Sequence, residues 1–194
     1  MRALVIICLI SFFPRISYGD FYFETGLEDG GKSLSRIKWD KEIWDIHTPD
    51  SQNLNLGGDV RIAIGYQLKL GESDEHSVSV ALGYIWDELD GDNGEAEFDV
   101  TTLEAIYSRH FDRHRLGVGV SYHVDPSYED DLDGSPPNKI DFDDATGLVL
   151  QYTYEVFSGT PFHFGLRFTE MDYEVGSKSF DASGFGIFLA FSKD

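Results

Sequence analysis

The chain has 194 residues, 35 acidic against 15 basic side chains, a formal net charge of −20 and 14% aromatic residues. That length suits one domain with a sizeable core, and so acidic a balance excludes nucleic acid as a partner, because phosphate binding needs clustered Lys and Arg. A single cysteine excludes a disulfide framework and any Cys-rich zinc centre.

Residues 1–19 read as a cleaved export signal. Arg2 gives a positive start, Ala3 to Phe13 is a nearly unbroken apolar run, and Pro14 interrupts it. Ser17-Tyr18-Gly19 then sets small residues three and one before a cut ahead of Asp20. The run is too short for a membrane-spanning helix, which needs about 20 apolar residues. Cys8 leaves with it, so the expected product, residues 20–194, has no cysteine.

From Phe21 onward the chain alternates with a period of two. Phe21, Phe23, Thr25 and Leu27 alternate with Tyr22, Glu24 and Gly26. After a polar segment at 28–53, Leu54 to Leu70 reads as one long two-faced strand, with Leu54, Leu56, Val60, Ile62 and Ile64 sharing a face. The short link 71–75 leads to Val78–Trp86, and a polar segment at 87–97 precedes Thr101–Ser108. Asp112-Arg113 turns the chain into Leu116–Val124, which is followed by a polar stretch at 125–139. Gly147–Val156, the short link 158–161, Phe162–Phe168, a modest loop at 172–179 and Gly184–Phe191 complete the series. Eight strands result, most of them near the 9–11 residues that a tilted strand needs to cross a bilayer. Short turns alternate with long polar connections, the plan of an outer-membrane barrel with both termini on the periplasmic side.

The choice between a membrane barrel and a soluble one rests on the smaller face. It is rich in Gly, Ala and Ser with a few isolated charges, which suits a cramped lumen and makes a poor solvated surface. The large face grades from Leu, Val and Ile to aromatics near the strand ends. Tyr84, Trp86 and Tyr122 are expected in one interfacial girdle, and Tyr66, Tyr107, Tyr154 and Phe191 in the other. The predicted fold is all-β: an eight-stranded antiparallel up-and-down transmembrane β-barrel.

The export segment, eight strands, alternating loop lengths and aromatic final strand resemble the small OmpA/OmpX/OmpW-type bacterial outer-membrane barrels. The stretches Phe142-Asp143-Asp144-Ala145-Thr146-Gly147-Leu148-Val149-Leu150 and Phe164-Gly165-Leu166-Arg167-Phe168-Thr169 carry the same resemblance. It implies residence in the outer membrane of a Gram-negative bacterium, contact with outer-membrane lipids and lipopolysaccharide, and handling by the outer-membrane assembly machinery.

Candidate chemistry concentrates in the lumen. Glu24 and Arg61 are expected at similar depth on neighbouring strands, Glu104 and Arg167 near mid-barrel, and Arg115 with Glu155 near the periplasmic rim, with His163 close by. Charges in a narrow lumen must be paired, and a packed eight-stranded interior reads as an ion-paired plug, with a narrow path for small or hydrophobic solutes as the alternative. Glu104, Ser108 and His110 share a parity that points inward. A lipid-modifying enzyme, the second alternative, needs its nucleophile and base facing the bilayer, so no catalytic residue is assigned. The histidines have no metal-ligand spacing, and neither a metal nor any other cofactor is expected.

The connections are acidic. Asp90 and Asp92 in 87–95, and Asp131 and Asp133 in 129–134, are candidates for weak divalent-cation binding beside lipopolysaccharide phosphates. The first opens like a calcium loop but lacks the closing Glu. Trp39 and Trp44, with Ile43 and Ile46, form an apolar cluster that is the candidate binding or capping surface of the first long connection. The expected function is non-enzymatic, serving envelope integrity or surface binding.

Overall fold

The computed structural model describes residues 16–38, 51–56, 58, 60–71, 75–157 and 159–192. The apolar start of the export segment and the Trp39–Trp44 cluster lie outside the described residues. The first half forms β1 (Ile16–Gly30), β2 (Ser33–Lys38), β3 (Ser51–Asn55), β4 (Val60–Leu70), β5 (His76–Gly91), β6 (Gly94–Phe111) and β7 (His114–Leu132). The second half adds β8 (Asn138–Asp141), β9 (Ala145–Glu155), β10 (Phe162–Glu170), β11 (Asp172–Val175), β12 (Lys178–Asp181) and β13 (Gly184–Ser192).

Eight of these strands form the wall. β1, β4, β5, β6, β7, β9, β10 and β13 pair antiparallel in chain order, and β13 returns to β1 to close the ring. Closure leaves the wall no unpaired edge, so its backbone groups are satisfied without water, as a hydrocarbon medium requires. The expected barrel is present. The ladder between β1 and β4 runs regularly from Gly19↔Leu68 and breaks between Ile16 and Gly19.

The period-two pattern sorts the faces as expected through the middle of the wall. Ile64, Leu82, Leu103, Val118, Leu150 and Leu189 are all exposed on the outer surface, while Ala63, Ala81, Thr102 and Ser121 are buried inside. An apolar ring this continuous is a lipid-facing belt. Aromatic residues bound it: Tyr84 stacks on Trp86 at 5.9 Å at the outer interface. Phe21 meets Tyr66 at 5.0 Å, and Phe162 meets Phe191 at 5.3 Å, at the periplasmic one. Inside, the Phe188 ring occupies the space that a Cβ on Gly165 would need, so one large side chain fills the lumen opposite a residue with none.

Above the belt the structure corrects the expected loops. The segment 87–97 continues β5 and β6 in register, Glu88↔Glu97 and Asp90↔Glu95, to a two-residue turn at Asp92-Asn93. The first half of 125–139 continues β7, and 172–179 forms most of the β11–β12 hairpin. Their polarity comes from a change of solvent, not from loss of strand structure. On β6 the outward residues pass from Leu103 and Thr101 to Asp99, Glu97 and Glu95, while the inward ones pass from Thr102 to Val100, Phe98 and Ala96. Leaving the membrane inverts the pattern: water wants charge outside, and the barrel end can hold an apolar core inside.

Two further corrections concern phase. The stretch 54–70 is not one strand, because β3 ends at Asn55 and β4 begins at Val60. Gly58 lies between them at φ +68°, a left-handed conformation that favours glycine. Leu54 and Leu56 therefore point into the core, whereas Ile62 and Ile64, of the same parity, face outward. On β7 a register shift opposite Asp99–Thr101, with Asp125 at φ 48°, turns the chain so that Tyr122 faces out and Tyr128 faces in. The resulting core joins Leu54, Leu89, Phe98, Val100, Tyr128 and Tyr173 in the outer half of the barrel.

Candidate functional site

A five-residue charge network crosses the lumen at mid-height. Arg61 on β4 donates through Nη1 to Glu24 on β1, and through Nη2 to Glu104 on β6 at 2.7 Å. Arg167 on β10 reaches Glu104 with both terminal nitrogens, one of them at 3.2 Å. Ser121 donates to Glu104 at 3.2 Å, and Gln151 donates to Glu24 at 3.3 Å. The expected placements of Glu24 with Arg61, and of Glu104 with Arg167, thus converge on one cluster. Arg–carboxylate pairing across four strands, bidentate between Arg167 and Glu104, satisfies most of the buried donors and acceptors.

The fifth member, Glu28, is absent from the sequence-derived set. Its Oε1 lies 3.4 Å from Arg167 Nε and 3.7 Å from Arg61 Nε, and it is buried without a hydrogen bond. It falls at the start of the expected polar connection 28–53, yet it shares the inward parity of Tyr22, Glu24 and Gly26. Extending that parity by two residues would have found it. The network holds three carboxylates and two guanidinium groups.

Towards the periplasmic mouth the lumen first narrows to a cavity of about 20 Å³ beside Glu24, Gln67 and Phe188. It then opens into one of about 180 Å³. Arg115, Glu155 and His163 all line the wider space. The register sets Arg115 opposite Thr153 and His163 opposite Glu155. Arg115 reaches across the lumen to Gln67 Oε1 at 2.8 Å, and the Glu155 carboxylate caps the backbone N–H of Gly159. His163 Nε2 meets Ser192 at 3.0 Å, and His110 Nε2 meets Ser77 at 2.8 Å. Gln67 and Lys69, absent from the sequence-derived candidates, share the inward parity of Arg61 on β4 and line the same space.

At the other end Asp90 and Asp131 stand on the outward faces of β5 and β7, and Asp92 and Asp133 occupy turns. These carboxylates are strung along hairpins in place of the expected calcium-like loop. Among the described residues no three His, Cys, Asp or Glu side chains converge as metal ligands would. Glu97 instead faces Glu88 on one neighbour and Glu129 on the other. Lys139, opposite Glu129 and paired with it, offsets part of this charge.

Desolvation, then repulsion from Asp99, Glu88, Glu129 and Glu95, pushes the Glu97 carboxyl above its ordinary value. A carboxyl raised in the folded state costs stability above that raised value, and the cost is relieved as pH falls through it towards the unfolded value. Asp144, held down by the Tyr122 hydroxyl and the Asp125 N–H, works oppositely, and so does Asp181 beneath the Ser183 N–H. Their contribution is present above the unfolded value and is lost as pH falls through the lowered one. Amide exchange in the β5–β6 tips should therefore slow as pH drops from neutrality into the ordinary carboxylate range, after correction for intrinsic rates. Faster exchange over that window would refute the repulsion.

No protein-family model matches the chain, and no curated protein does. Among solved structures it is similar to Neisserial surface protein A at 9% identity, covering 91% of this chain and 98% of that one, with a TM-score of 0.47. It is similar to Ail, the attachment invasion locus protein of Yersinia pestis, at 7% identity, 90% and 96% coverage and a TM-score of 0.48. OprG, an outer membrane protein from Pseudomonas aeruginosa, matches at 15% identity over 90% and 96%, with a TM-score of 0.43. The closed wall, the lipid-facing belt and its aromatic borders stand independently of these likenesses. The chain is a closed eight-stranded antiparallel β-barrel with the lipid-facing surface of a transmembrane barrel.

Proposed function

We propose that this protein is a non-enzymatic, non-conducting barrel whose working part is its array of acidic extracellular hairpins. They serve envelope integrity or surface binding, in contact with lipopolysaccharide through bridging divalent cations. The observation that carries this reading is double closure of the lumen. The Glu24–Arg61–Glu104–Arg167 cluster spans it at mid-height, and the apolar core around Phe98 and Tyr173 fills its outer half. Between the cluster and the periplasmic vestibule, the cavity of about 20 Å³ offers room for roughly one water. Glu104, Ser108 and His110 face this interior, where no lipid substrate reaches them. Residues 1–19 act as the export signal in this reading, and the last strand, with Phe191, is handled by the assembly machinery.

Planar-bilayer recording of the refolded protein, with heat-modifiable gel mobility as proof of folding, is expected to give a silent membrane. Discrete, reproducible openings would move the function to passage of small solutes.

A further inference from the structure

The periplasmic vestibule is a second chemical feature, distinct from the hairpins. We propose that it binds a small oxyanion of the phosphate class. Every residue lining the space of about 180 Å³ carries a polar side chain, in contrast to the mostly apolar walls of pockets for organic solutes. At about 180 Å³ it has room for a small hydrated ion.

Its charge runs against that of the molecule. The chain carries −20, yet Lys69, Arg113 and Arg115 line this space against Glu155 and the exposed Asp112. His110, His114 and His163 add three imidazoles. The parity of β4, β6, β7 and β10 brings Lys69, His110, Arg115 and His163 inward together, so four strands supply nitrogen groups to one recess. Thr153 adds a hydroxyl.

Arg113 shapes the wall. Its guanidinium donates to the carbonyls of Glu155 and Val156 and lies 4.9 Å from the Tyr154 ring centroid. The Glu155 carboxylate accepts the Gly159 N–H and keeps its charge, so the three cationic side chains face two carboxylates. In a recess partly shielded from water, ammonium and guanidinium donors form charge-assisted bonds with oxyanions. The lumen narrows above, so an anion entering from the periplasm is held, not conducted.

The test is calorimetry of the full chain refolded in a phosphate-free maltoside detergent, titrated with inorganic phosphate against sodium chloride at matched ionic strength. The variants are Lys69→Gln and Arg115→Gln, with Lys139→Gln at the opposite end of the barrel as control. Saturable phosphate binding is expected, weakened roughly tenfold or more by either vestibule variant and unchanged by the control. Should Arg115→Gln fail to migrate as a folded barrel, Lys69→Gln decides alone. Absence of saturation beyond the chloride response would overturn the proposal, as would binding undiminished in the folded vestibule variants. Repeating the titration in phosphatidylglycerol nanodiscs identifies the source of the oxyanion. Loss of phosphate binding there marks a lipid headgroup as occupant, and its persistence marks free phosphate.

Discussion

Arg61→Ala should destabilise the barrel by about 3–5 kcal/mol, whereas Glu28→Gln should leave it unchanged or make it more stable. Arg61 is 2% exposed and holds Glu24 and Glu104 directly. Its removal leaves three buried carboxylates facing Arg167 as the remaining guanidinium of the network, and an uncompensated charge in a dry lumen is far more costly than a lost surface pair. Glu28 is the member with the longest contacts and with an oxygen that lacks a hydrogen bond. Converting it to the amide removes one excess negative charge and keeps the shape. The double variant Arg61→Ala/Glu28→Gln should recover part of the loss, a coupling expected of groups that share partners. Urea unfolding of vesicle-reconstituted protein, followed by tryptophan fluorescence, measures all three. A cost for Arg61→Ala within the ~1 kcal/mol of a solvated pair would show that the network is hydrated.

Phe98→Ala should separate the outer half of the molecule from the membrane wall. Phe98 is fully buried and packs beside Tyr173 at 6.0 Å between centroids, in the core that ties β6 to the β11 hairpin. Truncating a buried aromatic costs about 3–5 kcal/mol through lost transfer energy and the cavity left behind. Above the belt no lipid tail can fill that cavity. The loss should therefore fall on the hairpins, exposing Lys139 and Lys178 to trypsin while the wall keeps its heat-modifiable migration. Leu103→Ala, five residues further along β6 on the lipid face, should leave the tryptic pattern unchanged because acyl chains replace the missing contacts. Equal protection of Phe98→Ala and the parent would disconnect this core from hairpin order.

The two substitutions lie on opposite sides of the boundary between what alternation reveals and what it conceals. Strand number, closure and outward belt follow from the sequence because side chains alternate with an exact period of two and lipid imposes one rule on every outward position. Thus Leu82, Leu103 and Leu150 point where their parity says. Parity also brought Glu24, Arg61, Glu104 and Arg167 into the lumen, and neutrality in a dry space required that they meet.

Three decisions belonged to the tertiary structure. Acidic segments such as 87–97 remain strands because their inward residues, Leu89, Ala96 and Phe98, find partners on β7 and β11, which no local window contains. The Gly58 break and the bulge at Asp125 reverse parity, so Leu54 and Tyr128 enter the core against the phase of their neighbours. Finally, register placed Arg115 opposite Thr153 and set the inward Lys69 and His110 at the same depth as His163. Relative strand offset is set by the sum of cross-strand pairs around a closed ring, and that sum exists only once the ring has closed.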